Sequence, residues 1–288
     1  MKPSKTTYLL TFLATAAFAG NSLLCRWALK DTAIDAASFT SIRIASGALA
    51  LWIIFRLRNS IHSTNSAASG NWASALALFT YAAAFSYAYV NLTTGTGALL
   101  LFAAVQLTMM LYAFWTGERF DIQQNLGLIM AIAGIVWLLL PNVSAPHLTD
   151  ALLMLTAGVA WAIYSLRGKK ATDAISVTTG NFMLATVFTL GLSLTLITKV
   201  SMDAMGMLLA VTSGAITSGV GYVIWYAALQ RLTISNAAVV QLSVPIIAAI
   251  GGAIFLNDVI TPRLIIASIA TLSGVGLVLM AQGAAATK

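Results

Sequence analysis

Charge is what this chain has least of. Of its 288 residues only 8% are Asp, Glu, Lys or Arg, against about a quarter in a soluble domain. With 59% of residues hydrophobic, no soluble core could hide so much apolar surface behind so few charges, so a soluble domain is excluded. Histidine is scarce too: His62 and His147 are the only two, both in apparent loops. Cys25 is the single cysteine, which rules out an intramolecular disulfide and a cysteine metal cluster. No nucleophile elbow, phosphate loop or metal-ligand spacing occurs. The eight acids, Asp31, Asp35, Glu118, Asp121, Asp150, Asp173, Asp203 and Asp258, all fall at the ends of apolar blocks. A buried-acid proton relay therefore has no carboxylate to use. The chain is poorly equipped for enzymatic chemistry, and neither metal nor cofactor is expected.

What is abundant is apolar sequence in blocks of spanning length. They fall at about 7–29, 36–56, 72–92, 96–116, 122–140, 148–167, 176–198, 205–229, 235–256 and 262–281. Blocks near 20 residues fit helices, whereas a barrel needs alternating strands of about 10. The expected fold is an all-α integral membrane protein of ten transmembrane helices. Between the blocks lies the expected punctuation, such as Arg56-Leu57-Arg58-Asn59, Thr94-Gly95-Thr96-Gly97, Pro141-Asn142 and Asn257-Asp258. The Ser/Asn/Ala-rich segment 59–71 reads as a linker. A formal charge of +7 would suggest nucleic acid, but the bases sit at block ends, where they orient a membrane protein instead. No nucleic-acid partner is expected; the lipid bilayer is.

The N-terminus mimics a cleavable signal, with Lys2, Lys5, an apolar run from Tyr8 and Ala17-Phe18-Ala19 before Gly20. The apolar run continues to Leu29, longer than a signal core, so retention as the first span is expected. On the N-terminal side of the membrane fall Lys2, Lys5, Arg56, Arg58, Arg119, Arg167, Lys169, Lys170, Arg231 and Lys288. Opposite them fall Arg26, Lys30, Lys199 and Arg263. That bias places both termini in the cytoplasm.

Residues 88–134 and 228–274 read as copies of one another. Ala88, Leu92-Thr93, Ala98, Glu118 and Gly134 recur 140 positions on as Ala228, Leu232-Thr233, Ala238, Asp258 and Gly274. Upstream, Asp35-Ala36-x-Ser38-x-Thr40 recurs as Asp173-Ala174-x-Ser176-x-Thr178 at an offset of 138. The chain divides into five-helix repeats at 1–141 and 147–288. Five is odd, so the second repeat crosses in the opposite sense, the architecture of carriers that alternate access about a midplane site.

Trp27, Trp52, Trp72, Trp115 and Trp137 lie near block ends as interfacial anchors. Deeper, Tyr81, Phe85 and Tyr89 share one face of the third helix by their i, i+4, i+8 spacing. Trp161 and Tyr164 share a face of the sixth, and Tyr222, Trp225 and Tyr226 a face of the eighth. Helix packing accounts for any one of these rings; three such faces point to a lined cavity. Mid-span Asn21, Ser22, Gln106, Gln241 and Ser243 need protein or water partners; interhelical hydrogen bonding is the alternative to a ligand site. Pro245 frees the carbonyl of Gln241, four residues back, for a substrate ammonium or amide. Thr212, Ser213, Gly214, Thr217, Ser218, Gly219 and Gly221 make the eighth helix small and weakly polar, read either as close packing or as a gating element. Arg43, about seven residues inside its block, is expected to snorkel outward; otherwise it meets a substrate carboxylate or pairs with another helix.

Ten helices in an inverted repeat, with Gly117-Glu118-Arg119 closing the fourth and Gln241-x-x-x-Pro245…Asn257-Asp258 closing the ninth, resemble the drug/metabolite transporter superfamily. More narrowly the chain is similar to EamA-type exporters, and over nearly its full length to the YddG-type aromatic amino acid exporters of bacterial inner membranes. The resemblance implies a central cavity formed mainly by helices 1, 3, 4, 6, 8 and 9, with helices 5 and 10 making dimer contacts in some members. On that basis Phe18, Asn21, Tyr81, Phe85, Phe102, Gln106, Trp161, Tyr164, Tyr222, Trp225 and Gln241 are the expected substrate-binding residues. Pro245, Gly219 and Gly221 are the expected kink or gate. The expected function is export of aromatic and other neutral amino acids by alternating access, as a monomer or homodimer in the bacterial inner membrane. A carrier for another small metabolite or a lipophilic drug is the alternative, and an intramembrane enzyme a distant one.

Overall fold

In the computed structural model the described residues are 5–61, 68–117, 120–141, 145–168, 173–195, 198, 200–229 and 240–285. They form helices throughout: α1 (Lys5–Asp31), α2 (Ala36–Ile61), α3 (Trp72–Tyr89), α4 (Thr94–Trp115) and α5 (Ile122–Leu139), then α6 (Leu148–Gly168) and α7 (Ala174–Thr195). The eighth span, α8, is built in three parts, α-helical Ala204–Thr212, π-helical Ser213–Val220 and α-helical Gly221–Leu229. α9 (Ser243–Leu256) and α10 (Pro262–Ala285) complete the bundle. Eight helices among the described residues are long and apolar enough to cross a membrane; α9, with 14 residues, is shorter.

Helices form here because hydrocarbon offers no water to backbone polar groups, which must then bond within their own segment. The same demand falls on hydroxyls inside the spans. Thr11, Thr40, Thr108 and Thr179 meet it by donating to the carbonyls four residues back, at 2.7 Å each. Free N–H groups at helix starts are capped by Asn71 before α3, Thr93 before α4 and Asp203 before α8. Asp121 and Gln124 form a capping box at α5. α9 stops where Asn257 turns left-handed (φ 52°), and α10 opens on Pro262, which has no N–H to leave unpaired there.

α5 packs along α10, and α2 along α7. The α5–α10 contact is close because its residues are small: a Cβ on Gly127 would lie 2.5 Å from the carbonyl oxygen of Gly274, and Gly134 abuts Thr271 in the same way. Outside that seam Ile129, Trp137, Ile266 and Ile269 face outward and exposed. Around the centre, α3 lies on α6 and α7, α4 on α6 and α9, and α1 on α8 and α9.

Two expectations change. The predicted ninth span begins at 235, but 230–239 lie outside the described residues, and a turn at Leu242 restarts the helix at Ser243. Pro245 therefore sits in the first turn of α9, where a missing N–H breaks no intrahelical bond; it does not kink a continuous helix. Arg43 does not snorkel: it is 1% exposed. Of the expected tryptophan anchors, Trp52, Trp72, Trp115 and Trp137 are exposed, while Trp27 is half-buried against the core. Glu118, Arg119 and the loop cations Lys169, Lys170 and Lys199 lie outside the described residues, as does the side chain of Tyr226.

Candidate functional site

α1 turns Phe18, Asn21 and Ser22 inward at i, i+3 and i+4, and α3 does the same with Tyr81 and Phe85. Opposite them stand Leu101 and Phe102 of α4 and Trp161 of α6, and α8 adds Thr217 and Tyr222. Together these ten residues enclose a central cavity. The cavity volume is about 20 Å³, room for a water molecule or two. Small-molecule sites run to about 300 Å³ and more, so the walls are closed on one another.

Trp161 is the hub of that closure. Its ring centre lies 4.8 Å from Tyr81, 5.0 Å from Tyr222, 5.6 Å from Tyr164 and 6.4 Å from Phe18. Phe18 also meets Tyr222 and Trp225 edge-on, at 6.1 and 5.6 Å. Each such pair adds about 0.5–1.5 kcal/mol beyond area burial. The rings exclude water, and they present π-faces to whatever replaces their mutual contacts.

The polar wall centres on Asn21. Its Nδ2 donates to the Tyr81 hydroxyl at 3.3 Å, while its Oδ1 accepts from Ser213 at 2.7 Å and Thr217 at 3.4 Å. Ser213 and Thr217 belong to the π-helical part of α8. π-Segments are mostly single-turn bulges that recur at functional sites; this one spans eight residues. Within it Gly214 lies against the backbone carbonyl of Arg43 and the hydroxyl of Ser46 with no room for a Cβ, so α2 and α8 touch backbone to backbone.

Arg43 lies behind the wall at that crossing. One terminal nitrogen donates to the Tyr81 hydroxyl at 3.0 Å, and Nε donates to Ser218 at 3.4 Å. The guanidinium carbon is 5.2 Å from the Tyr81 ring centre and 5.0 Å from that of Phe85. The other terminal nitrogen is buried without a hydrogen-bond partner. The ion pairs among the described residues, Lys30–Asp258 and Arg58–Asp173, leave Arg43 with no carboxylate.

Polar ties close the bundle at either end. At one, Asp258 accepts from the backbone N–H and hydroxyl of Thr94, both at 2.8 Å, and pairs with Lys30 at 3.5 Å. Lys30 also donates to the carbonyl of Leu256, joining α1, α4 and α9. Asp35 exchanges backbone and side-chain bonds with Ser201 there; burial pushes its carboxyl up, but hydrogen bonds from Ser38, Ser201 and Ala37 together hold it below the usual range. At the other end Arg58 grips both oxygens of Asp173. That guanidinium holds the Asp173 carboxyl below the usual carboxylate value. Beside it Arg167 donates to Ser74 and Asn71, at 2.9 Å each, and Asn71 N–H donates to Asn181 at 3.0 Å.

Seven of the eleven predicted residues, Phe18, Asn21, Tyr81, Phe85, Phe102, Trp161 and Tyr222, meet at the cavity. Tyr164 and Trp225 stand one ring back, touching Trp161 and Phe18. Gln106 is buried one turn beyond Phe102 on α4, and Gln241 is half-buried before the Leu242 turn; neither lines the cavity. Gly219 is buried in the π-segment and Gly221 packs on Ala17 of α1. The sequence signalled Ser22 and Thr217 only as mid-span polar residues, and nothing marked Leu101.

A profile described as the EamA-like transporter family matches the chain twice, over residues 5–140 and 148–280. An uncharacterised Pseudomonas aeruginosa protein is 51% identical, with 96% of each chain covered. A probable terminal-alkyne amino-acid exporter of Streptantibioticus cattleyicolor is 26% identical over 69% of this chain and 68% of its own. The threonine/homoserine exporter RhtA of Escherichia coli is 32% identical over 46% of this chain and 47% of its own.

Proposed function

We propose that this chain, which belongs to the EamA-like transporter family, exports neutral amino acids, aromatic ones included, by alternating access about the Trp161 cavity. The observation that carries this reading is the cavity wall itself. Aromatic faces converge from α1, α3, α4, α6 and α8 with one amide, Asn21, among them, a lining suited to an apolar side chain with a small polar end. Two relatives named as amino-acid exporters support that cargo class.

Loading requires the walls to part, because the closed cavity has space for little more than a water molecule. The two ties define the alternation. Releasing Lys30 and Thr94 from Asp258 opens one end, and releasing Arg58 from Asp173 opens the other, with the two five-helix repeats rocking against each other. By the excess of Lys and Arg on the membrane side that holds the chain termini, the Lys30 end faces the periplasm and both termini the cytoplasm of a bacterial inner membrane. The seven described carboxylates lie at or beyond the helix ends, which favours facilitated export over proton coupling.

Uptake of labelled phenylalanine and threonine into liposomes containing the purified protein tests this reading. Saturable uptake at equal pH supports a facilitative amino acid carrier. Uptake only under an imposed pH difference replaces facilitation with coupling. No uptake in either condition removes amino acids as cargo.

A further inference from the structure

We propose that Arg43 is the carboxylate-binding residue of this carrier, so that cargo must bring an anionic group to complete the site. The inference rests on reading the cavity as the cargo site and adds what the cargo must carry.

A guanidinium is never neutral in a protein, so Arg43 holds a full charge among apolar helices at 1% exposure. Isolated charge at such depth is strongly unfavourable unless a counter-charge or dense hydrogen bonding offsets it. Here the offset is thin: two neutral hydroxyls, from Tyr81 and Ser218, and the faces of Tyr81 and Phe85. One terminal nitrogen has no hydrogen-bond partner, and no carboxylate lies within reach among the described residues. Tyr81 and Phe85 are also cavity wall, so the cation lies directly behind that wall.

The fork geometry of Arg suits a carboxylate, which binds two of its nitrogens in parallel. When the walls part, a carboxylate takes the place of the Tyr81 hydroxyl on one nitrogen and satisfies the unpartnered one. Asn21, joined to the same Tyr81 hydroxyl, then faces the polar end of the cargo. The released Tyr81 ring and Trp161 are left to receive its ammonium or side chain by their π-faces. The Tyr81 hydroxyl thus covers the cation at the position a substrate carboxylate would take.

The test is liposome uptake of four matched compounds: phenylalanine, phenylalaninamide, phenethylamine and 3-phenylpropanoate. Wild-type protein is expected to carry the two acids and to discriminate against amide and amine by about 30-fold or more, the effect of losing one partner of a buried charge pair. Arg43→Gln is expected to lose that discrimination and Arg43→Lys to restore part of it, with both variants monodisperse in detergent. Amide and amine carried as well as phenylalanine by wild type would overturn the role of Arg43 while leaving an amino acid carrier. Acid discrimination retained by Arg43→Gln would overturn it too. Uptake of 3-phenylpropanoate without phenylalanine would uphold Arg43 and remove amino acids as cargo. Uptake of none of the four would sink both.

Discussion

Asp258 offers the most direct perturbation of the proposed alternation. Its carboxylate, 6% exposed, accepts two hydrogen bonds from Thr94 at 2.8 Å and pairs with Lys30, itself 30% exposed. Asp258→Ala removes all three contacts from the closed form. Water solvates the carboxylate when this end opens, so only the net value of the closed contacts shifts the balance. A hydrogen bond to a charged group is worth about 1.5–3 kcal/mol net, and a partly exposed ion pair adds less than about 1. Taking the two Thr94 bonds at the low end, about 3 kcal/mol together, the open fraction rises roughly 150-fold. A buried thiol reads that fraction. Cys25 is the only cysteine, so Cys25→Ser with Ser22→Cys places a single thiol in the cavity wall, at a side chain 1% exposed. Labelling by a membrane-impermeant maleimide from the Lys30 side then requires opening, and its rate should rise by about that factor in Asp258→Ala. Asp258→Asn keeps an acceptor for Thr94 and loses only the ion pair, so its rise should be a few-fold. Asp173→Ala, which loosens the opposite end, should slow labelling from this side. An Asp258→Ala rate equal to wild type would refute the assignment of Asp258 as the tie that holds this end shut.

Three further outcomes follow from the same geometry. Trp161→Ala removes the ring shared by Phe18, Tyr81, Tyr164 and Tyr222; with about 0.5–1.5 kcal/mol for its ring pair with a bound aromatic side chain, the apparent KM for labelled phenylalanine should rise by up to about tenfold, and an unchanged KM would remove Trp161 from the cargo surface. Gly214→Ala drives a methyl into the carbonyl of Arg43 and should lower the melting midpoint in detergent, overpacking being worth about 1–3 kcal/mol. Gly191→Ala, with nothing within 4 Å, should leave that midpoint alone; equal midpoints for the two would count against the α2–α8 crossing. Asp173 is held below its ordinary value of 3.8 by Arg58. A depressed carboxylate stabilises the fold fully above that value and loses the effect as pH falls through its lower folded value. Wild type and Asp173→Asn should therefore differ slightly at neutral pH, by less than about 1 kcal/mol, and converge as pH falls through the depressed folded value of Asp173; a gap that widened on acidification would contradict the pairing.

The aromatic wall was legible because it is written in short-range spacing. Tyr81 and Phe85 share a helical face whatever the tertiary structure does, and an amide such as Asn21 inside an apolar block has few tolerable surroundings. Arg43 was not legible, because snorkelling and burial begin from the same sequence position. Its fate depends on how closely α8 approaches, which Gly214 decides from 171 residues away. The π-segment was hidden for a related reason. Ser213–Val220 reads as ordinary small-residue helix, and nothing in its composition marks the π-helical turn that lies against α2. Gln241 misled in the other direction: its spacing to Pro245 suggested a mid-helix kink, whereas a break at Leu242 places the proline where it disturbs nothing.

Arg43 and Asp258 are two charges in this chain whose surroundings differ in how fully they are satisfied. Asp258 stands at a helix end, where Thr94 and Lys30 satisfy it from two other helices; in the proposed alternation, loss of that satisfaction is the event of opening. Arg43 lies deep in the bundle with a nitrogen left over, and no described acid answers it. Had stability alone been at issue, a Leu or Met at position 43 would fill the same volume without the desolvation cost, since apolar replacement of buried charge is often neutral or stabilising. A charge left incomplete inside hydrocarbon makes physical sense when its counter-charge is transient. On the proposed reading the tight packing of Trp161, Tyr81 and Tyr222 is parted by a molecule whose anionic group compensates for the lost ring contacts.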